Sequence, residues 1–173
     1  MNLHWRVAHK CVYKASEMSM TPEHIRLVKE SFQQVLPVAD RVAGRFYAQL
    51  FAFDPSIEPL FTHDMDAQGQ KLMASLQRIV KGLDDLPAVL PAVEQLAIRH
   101  LDYGVQPHHY TTVGNALLVA LKQELGDAFT HETRAAWVAA YTLLSRAMKK
   151  AAYGDPLADR HTRPAQHEQS VAG

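Results

Sequence analysis

LPAVEQLAIRHLDYG, residues 90–104, is the stretch on which the reading of this chain turns. Val93, Leu96 and His100 recur at helical spacing, so an imidazole shares the apolar face of a helix. Two readings of that imidazole stand side by side. It is a core histidine with satisfied nitrogens, or it ligates a metal through one nitrogen while the other bonds a nearby carbonyl. The residues of this stretch alone do not choose between them.

Outward from this helix, the chain is dense in helix signals and holds no good strand, since Val, Ile and Thr never alternate with polar residues. Thr21-Pro22-Glu23 sets an N-cap, a first-turn proline and an acidic first-turn residue. The helix that follows carries Ile25, Val28, Phe32 and Val35 on one face, and Pro37 ends or kinks it. A second helix aligns Val42, Phe46, Leu50 and Phe53, and its Gly44 predicts close approach by another backbone. After the turn DPSIEPLF and the loop THDMDA, a longer helix bears Leu72, Leu76, Ile79 and Leu83. Pro87 and Pro91 predict an irregular start to the helix of His100, and Tyr103-Gly104 stops it. Pro107 opens the next, with Tyr110, Val113, Leu117, Leu121 and Leu125 inward and Gly126 at its end. Thr130 caps the last, striped by Trp137, Tyr141, Leu144 and Met148, and Gly154 and Pro156 end it. The expectation is an all-α fold of about seven helices around one shared core.

Bulk properties exclude several classes. At 173 residues and 47% apolar content, the chain is one globular domain with a real core. Residues 1–20 read as an N-terminal extension and 154–173 as a polar, aperiodic tail, both expected to be disordered, leaving 21–153 as the domain. Met18 and Met20 stand just before the first helix start, which raises an alternative start of translation. Lys+Arg and Asp+Glu are 18 each, so no basic field gathers nucleic acid or anionic lipid. No apolar run spans a bilayer, and Arg6, Lys10 and Lys14 interrupt any secretory signal. The single Cys11 rules out a disulfide framework and a cysteine metal cage, which suits a cytoplasmic protein. That leaves ten histidines as the metal-binding stock.

Four features bear on His100. Phe61 closes EPLF, Tyr47 follows Phe46 in RFYAQLF, Gln68 precedes Leu72 by one helical turn, and Tyr110 follows His108-His109. Each alone is ordinary packing or a solvated surface group. Together with DPSIEPLF, LPAVLPAVEQLAIRH, the run from Gly104 to Asp127 and the AW and AY pairs of the last helix, they resemble the globin family. Within it they resemble bacterial single-domain globins and the globin part of flavohaemoglobins.

The resemblance implies a globin fold holding haem b, iron protoporphyrin IX, over residues 21–153. His100 would be the proximal iron ligand through Nε2, and Phe61 the phenylalanine that wedges the ring. Tyr47 and Gln68 would form the distal pair, Leu72 the apolar wall over the ligand, and Tyr110 the tyrosine beside the proximal histidine. Lys71 is the favoured partner of a haem propionate, with His108, His109 and Arg99 as alternatives; His63 falls too early for the distal position. His24 and His131 read as solvated, and His161 and His167, in the tail, offer at most weak adventitious metal binding. The implied ligands are O2, NO and CO. A phenol and an amide donor favour O2, which accumulates negative charge, over CO. The implied function is reversible, high-affinity O2 binding, for transport or scavenging, with no catalytic residue assigned. The alternative is nitric oxide dioxygenation served by an external reductase, since no flavin or nicotinamide domain follows. A haem-free module and a sensor are the remaining readings. One departure stands out: flavohaemoglobins carry a carboxylate late in the last helix, and this chain has Ala152 there, with no Asp or Glu from Ala147 to Tyr153. Monomer and homodimer both remain open.

Overall fold

The computed structural model describes residues 20–61 and 64–154. Among them are six α-helices: α1 (Pro22–Val35), α2 (Ala39–Phe53), α3 (Met65–Lys81), α4 (Leu86–Asp102), α5 (His109–Leu125) and α6 (His131–Tyr153). Three 3₁₀ segments, Leu36–Val38, Pro55–Leu60 and Gly126–Ala128, join them, and no described residue lies in a strand. The expected count of about seven is therefore six among the described residues, and DPSIEPLF, read as a turn, winds as 3₁₀ over Pro55–Leu60.

Local chemistry explains the boundaries. The Thr21 hydroxyl accepts the His24 N–H at 3.1 Å, and that of Thr130 accepts the Thr133 N–H at 3.2 Å, each satisfying a free donor of a helix start. Asp54, Asp64 and Asp85 do the same for the 3₁₀ turn, α3 and α4. Gly104, Gly126 and Gly154 take positive φ at the helix ends, where a side chain would be strained. Pro91 leaves α4 continuous from Leu86, so the expected irregular start does not occur; its cost is one intrahelical bond, the one the Pro87 carbonyl would have accepted.

The principal packings are α1 on α6, α2 on α5, α4 on α6 and α2 on α3. α3 is thus held by α2 and α4 by α6, while α5 touches both supports. Val28, Phe32, Val35, Val42, Leu50, Leu83 and Leu121 fill the centre. Trp137 lies across Phe32 and donates from Nε1 to the Ser31 hydroxyl at 2.9 Å, which itself donates to the Leu27 carbonyl. The buried indole is therefore satisfied. Glu124 of α5 is covered by Arg41 and Arg45 of α2, which both pair with it.

The packing also corrects the helix faces read from spacing. Phe53 is 51% exposed rather than inward: it is the last residue of α2, while Leu50 of the same turn stays buried and Phe51 half-buried. On α3 the deepest residues are Gly69, Met73 and Val80, while Leu72, Leu76 and Ile79 are half-buried; the true seam lies one position away from the leucine stripe. The close approach assigned to Gly44 belongs to Gly69. A Cβ on Gly44 would meet nothing within 4 Å, whereas one on Gly69 would sit 3.0 Å from the Ala43 Cβ, where α3 crosses α2. Gly114 of α5 makes a similar fit, with the Tyr141 ring 2.5 Å from a hypothetical Cβ. Met20, assigned to the extension, is only 9% exposed and belongs to the core. The rest of the expected extension and tail lies outside the described residues, apart from Gly154.

Candidate functional site

The Gly69–Ala43 crossing sets the first wall of the site. It brings α3 against α2 closely enough for the Tyr47 hydroxyl to donate to the main-chain carbonyl of Gln68, at 3.3 Å. Tyr47 is 8% exposed, and burial pushes its phenol up to about 12, so at neutral pH it stays a proton donor. Its ring packs edge-on against Phe61, with centroids 5.4 Å apart, and lies 6.0 Å from Phe51, itself 5.5 Å from Phe61. Phe61 is fixed where the 3₁₀ turn ends, its N–H bonded to the Glu58 carbonyl. Gln68 and Leu72 are half-buried on α3, and Lys71 is exposed beside them. Tyr47, Phe61 and Gln68 are thus brought together, with Gln68 engaging the phenol through its backbone rather than its amide.

α4 carries His100 near its C-terminal end. The Nδ1 of His100 lies 2.8 Å from the Leu96 carbonyl, one turn earlier on the same helix. A carbonyl only accepts, so Nδ1 carries the proton and Nε2 keeps its lone pair. Desolvation holds His100 below its ordinary value of 6.5 and the neighbouring Arg99 cation adds to this, against the opposing pull of the Leu96 bond. The half-buried ring is therefore neutral at pH 7, in the tautomer a metal requires. The linkage sign follows directly. A folded-state value below the unfolded one gives stability that is present above about 6.5 and lost as pH falls through the lowered value. His109, also lowered by burial, contributes with the same sign. The thermal midpoint of the protein should fall on acidification below that point, and His100→Gln should flatten the fall; an unchanged pH profile in the variant refutes this assignment.

Tyr110 sits at the start of α5, 5% exposed, with its phenol pushed up to about 12 by burial first and by the Tyr153 phenol second. Its hydroxyl is buried without a hydrogen-bond partner. The Tyr110 carbonyl accepts from the Tyr141 hydroxyl at 2.5 Å. Ala152 is half-buried near the end of α6, and no carboxylate stands in that turn.

The peripheral candidates divide. Arg99 is exposed and folds back to the Gln95 carbonyl. His108 and His109 gather with Asp54, their ligand atoms within 4.8 Å of one another. This trio is a poor metal site. His109 Nδ1 accepts the Gln106 N–H at 3.0 Å, so its Nε2 carries the proton, and Asp54 already accepts from Ser56 through Oδ1. His63, Cys11, His161 and His167 lie outside the described residues. A cleft of about 550 Å³ between α5 and the start of α6 shares none of the site residues, whereas one of about 450 Å³ between α2 and α3 is bounded in part by Tyr47.

Sequence reasoning missed Phe51 and Tyr153. Phe51 lies one helical turn after Tyr47 on α2, a spacing that was available to flag it. Tyr153 carried no signal beyond being an aromatic residue at a helix end.

The family model described as Globin matches residues 44–148. The flavohemoprotein of Vibrio cholerae is 32% identical over 130 residues, covering 73% of this chain and 33% of that protein. Those of Halalkalibacterium halodurans and Bacillus subtilis are each 29% identical, over 133 and 126 residues, covering 75% and 71% of this chain. In both cases that is 32% of the relative, so the chain spans about a third of the length of these relatives.

Proposed function

The chain belongs to the globin family, and we propose that residues 21–153 form its haem-binding unit, with His100 as the iron ligand. The observation that carries the reading is the bond between His100 Nδ1 and the Leu96 carbonyl. It fixes the ring, selects the tautomer and frees Nε2, as a ligating imidazole needs. The aromatic wall of Tyr47, Phe51 and Phe61 and the half-buried Leu72 suit the faces of a flat, largely apolar macrocycle. Lys71, exposed on α3, is the cation we assign to a propionate.

When bound, haem b supplies the iron at which a diatomic gas is held. This chain's residues decide which gas and for how long. Tyr47 presents a protonated phenol and Gln68 an amide, two donors inside a water-poor pocket, where a hydrogen bond is electrostatically strong. Phe61 and Leu72 exclude water from the same space. These groups favour high-affinity O2 binding, with NO and CO as further ligands. On the other side, Ala152 offers no carboxylate to draw the Nδ1 proton of His100, which keeps the imidazole a moderate donor. That weighs toward holding O2 and away from driven redox turnover. The second reading, nitric oxide dioxygenation with an external reductase, has the flavohemoprotein names of the relatives in its favour.

Purification from haem-replete cells tests the first step: a Soret band is expected, and colourless protein overturns the reading. Adding NO to the ferrous, aerobic protein separates the two functions. One nitrate per haem followed by a halt supports binding alone. Sustained turnover with NADH and a cellular reductase establishes the enzyme instead.

A further inference from the structure

One polar group is left over by this arrangement. The Tyr110 hydroxyl is buried without a partner among the described residues, a costly state for a phenol. Facing Tyr110, at 6.4 Å between centroids and perpendicular to it, is the ring of Tyr153. The Tyr153 hydroxyl donates to the Val105 carbonyl at 2.5 Å, so its proton is committed and its lone pairs are free to accept. Val105 in turn donates its N–H to the carbonyl of His100 at 3.0 Å. A line of contacts thus runs from the end of α6 to the backbone that carries the imidazole.

We propose that Tyr153 is the positioning residue of the proximal side: it accepts the Tyr110 hydroxyl and, through Val105, pins the corner after α4 that sets the His100 ring. The proposal rests on the haem reading and adds a residue that reading did not use. A phenol then stands next to the turn where Ala152 leaves no carboxylate, and it does a different job. It presents no charge to His100, and Nδ1 keeps Leu96 as its acceptor. The two tyrosines shift as this donation requires. Burial raises both phenols, and the two stand close enough to act on each other, Tyr153 raising Tyr110 and Tyr110 lowering Tyr153.

The test is a double-mutant cycle of Tyr110→Phe and Tyr153→Phe in the full chain, both variants keeping the perpendicular rings. The readouts are the iron–histidine stretching band of the ferrous protein and the rate of haem loss to an acceptor globin. Each single variant is expected to shift the band and to speed haem loss, on the order of threefold to tenfold for Tyr153→Phe, the scale of coupled neighbours. The double variant should do little more than Tyr153→Phe alone. Strictly additive effects, or an unmoved band with haem still bound, overturn the proposal. Colourless wild-type protein would instead be a failure of the haem reading. Should Tyr153→Phe not fold, NMR of selectively labelled tyrosine in the native chain decides: a slowly exchanging Tyr110 hydroxyl proton supports the bond, and exchange at the solvent rate refutes it.

Discussion

His100→Gly is expected to lose the Soret band, and free imidazole is expected to restore it. His100 is neutral because burial lowers its affinity for a proton, and its Nδ1–H is spent on the Leu96 carbonyl 2.8 Å away. Nε2 is then the imidazole nitrogen that α4 leaves free to bind iron. Losing an outer partner of a metal-bound histidine costs 10- to 100-fold in affinity. Losing the ligand itself should cost at least about a hundredfold, and free imidazole diffusing into the space should recover most of it. The substitution lies outside the central core of Val28, Phe32, Leu50 and Leu121, so helix content by circular dichroism should persist. A variant that keeps its Soret band without imidazole would move the ligand elsewhere. The rescue arm separates a missing ligand from a collapsed pocket, because imidazole cannot rebuild a fold.

Most of this fold was legible because its signals are local. Thr21 and Thr130 cap helices, and Gly104, Gly126 and Gly154 stop them, for reasons contained within three or four residues. The candidate site was legible for a different reason: Tyr47, Phe61, Gln68, His100 and Tyr110 stand in stretches that resemble one family, although Gln68 and Tyr110 alone would pass for surface and core. What failed depends on where one helix meets another. Spacing placed Leu72 at the seam of α3 and Gly44 at a crossing, yet Met73 is deeper and Gly69 makes the approach. A periodic pattern names a stripe but leaves its rotation free by one residue, and only the partner helix fixes it. Phe53 failed for the same reason: spacing put it on the face of Leu50, yet it is 51% exposed at the end of α2. Tyr153 was invisible because its importance comes from Val105 and Tyr110, which are distant in sequence.

Tyr47→Phe should accelerate O2 dissociation by about 10- to 150-fold while changing CO dissociation by less than about threefold, since a hydrogen bond to a charged acceptor contributes roughly 1.5–3 kcal/mol and each 1.4 kcal/mol is tenfold. The phenol's present partner is a main-chain carbonyl at 3.3 Å, a long contact that is readily given up for a better acceptor. With its phenol pushed up to about 12, Tyr47 brings its proton to any ligand at neutral pH. Phenylalanine keeps the edge-on packing against Phe61 and the contact with Phe51, so the pocket wall survives and the hydroxyl alone is removed. Stopped-flow displacement of O2 by CO, beside photolysis of the CO form, measures both rates in one preparation. The contrast between the gases carries the inference: O2 gathers negative charge and CO gathers little, so a lost donor separates them, whereas a lost wall would release both alike. Equal acceleration of the two gases would therefore make Tyr47 a steric element. No change in either would leave Gln68 as the donor, and Gln68→Leu, which removes an amide from a half-buried position on α3, would then have to show the larger effect.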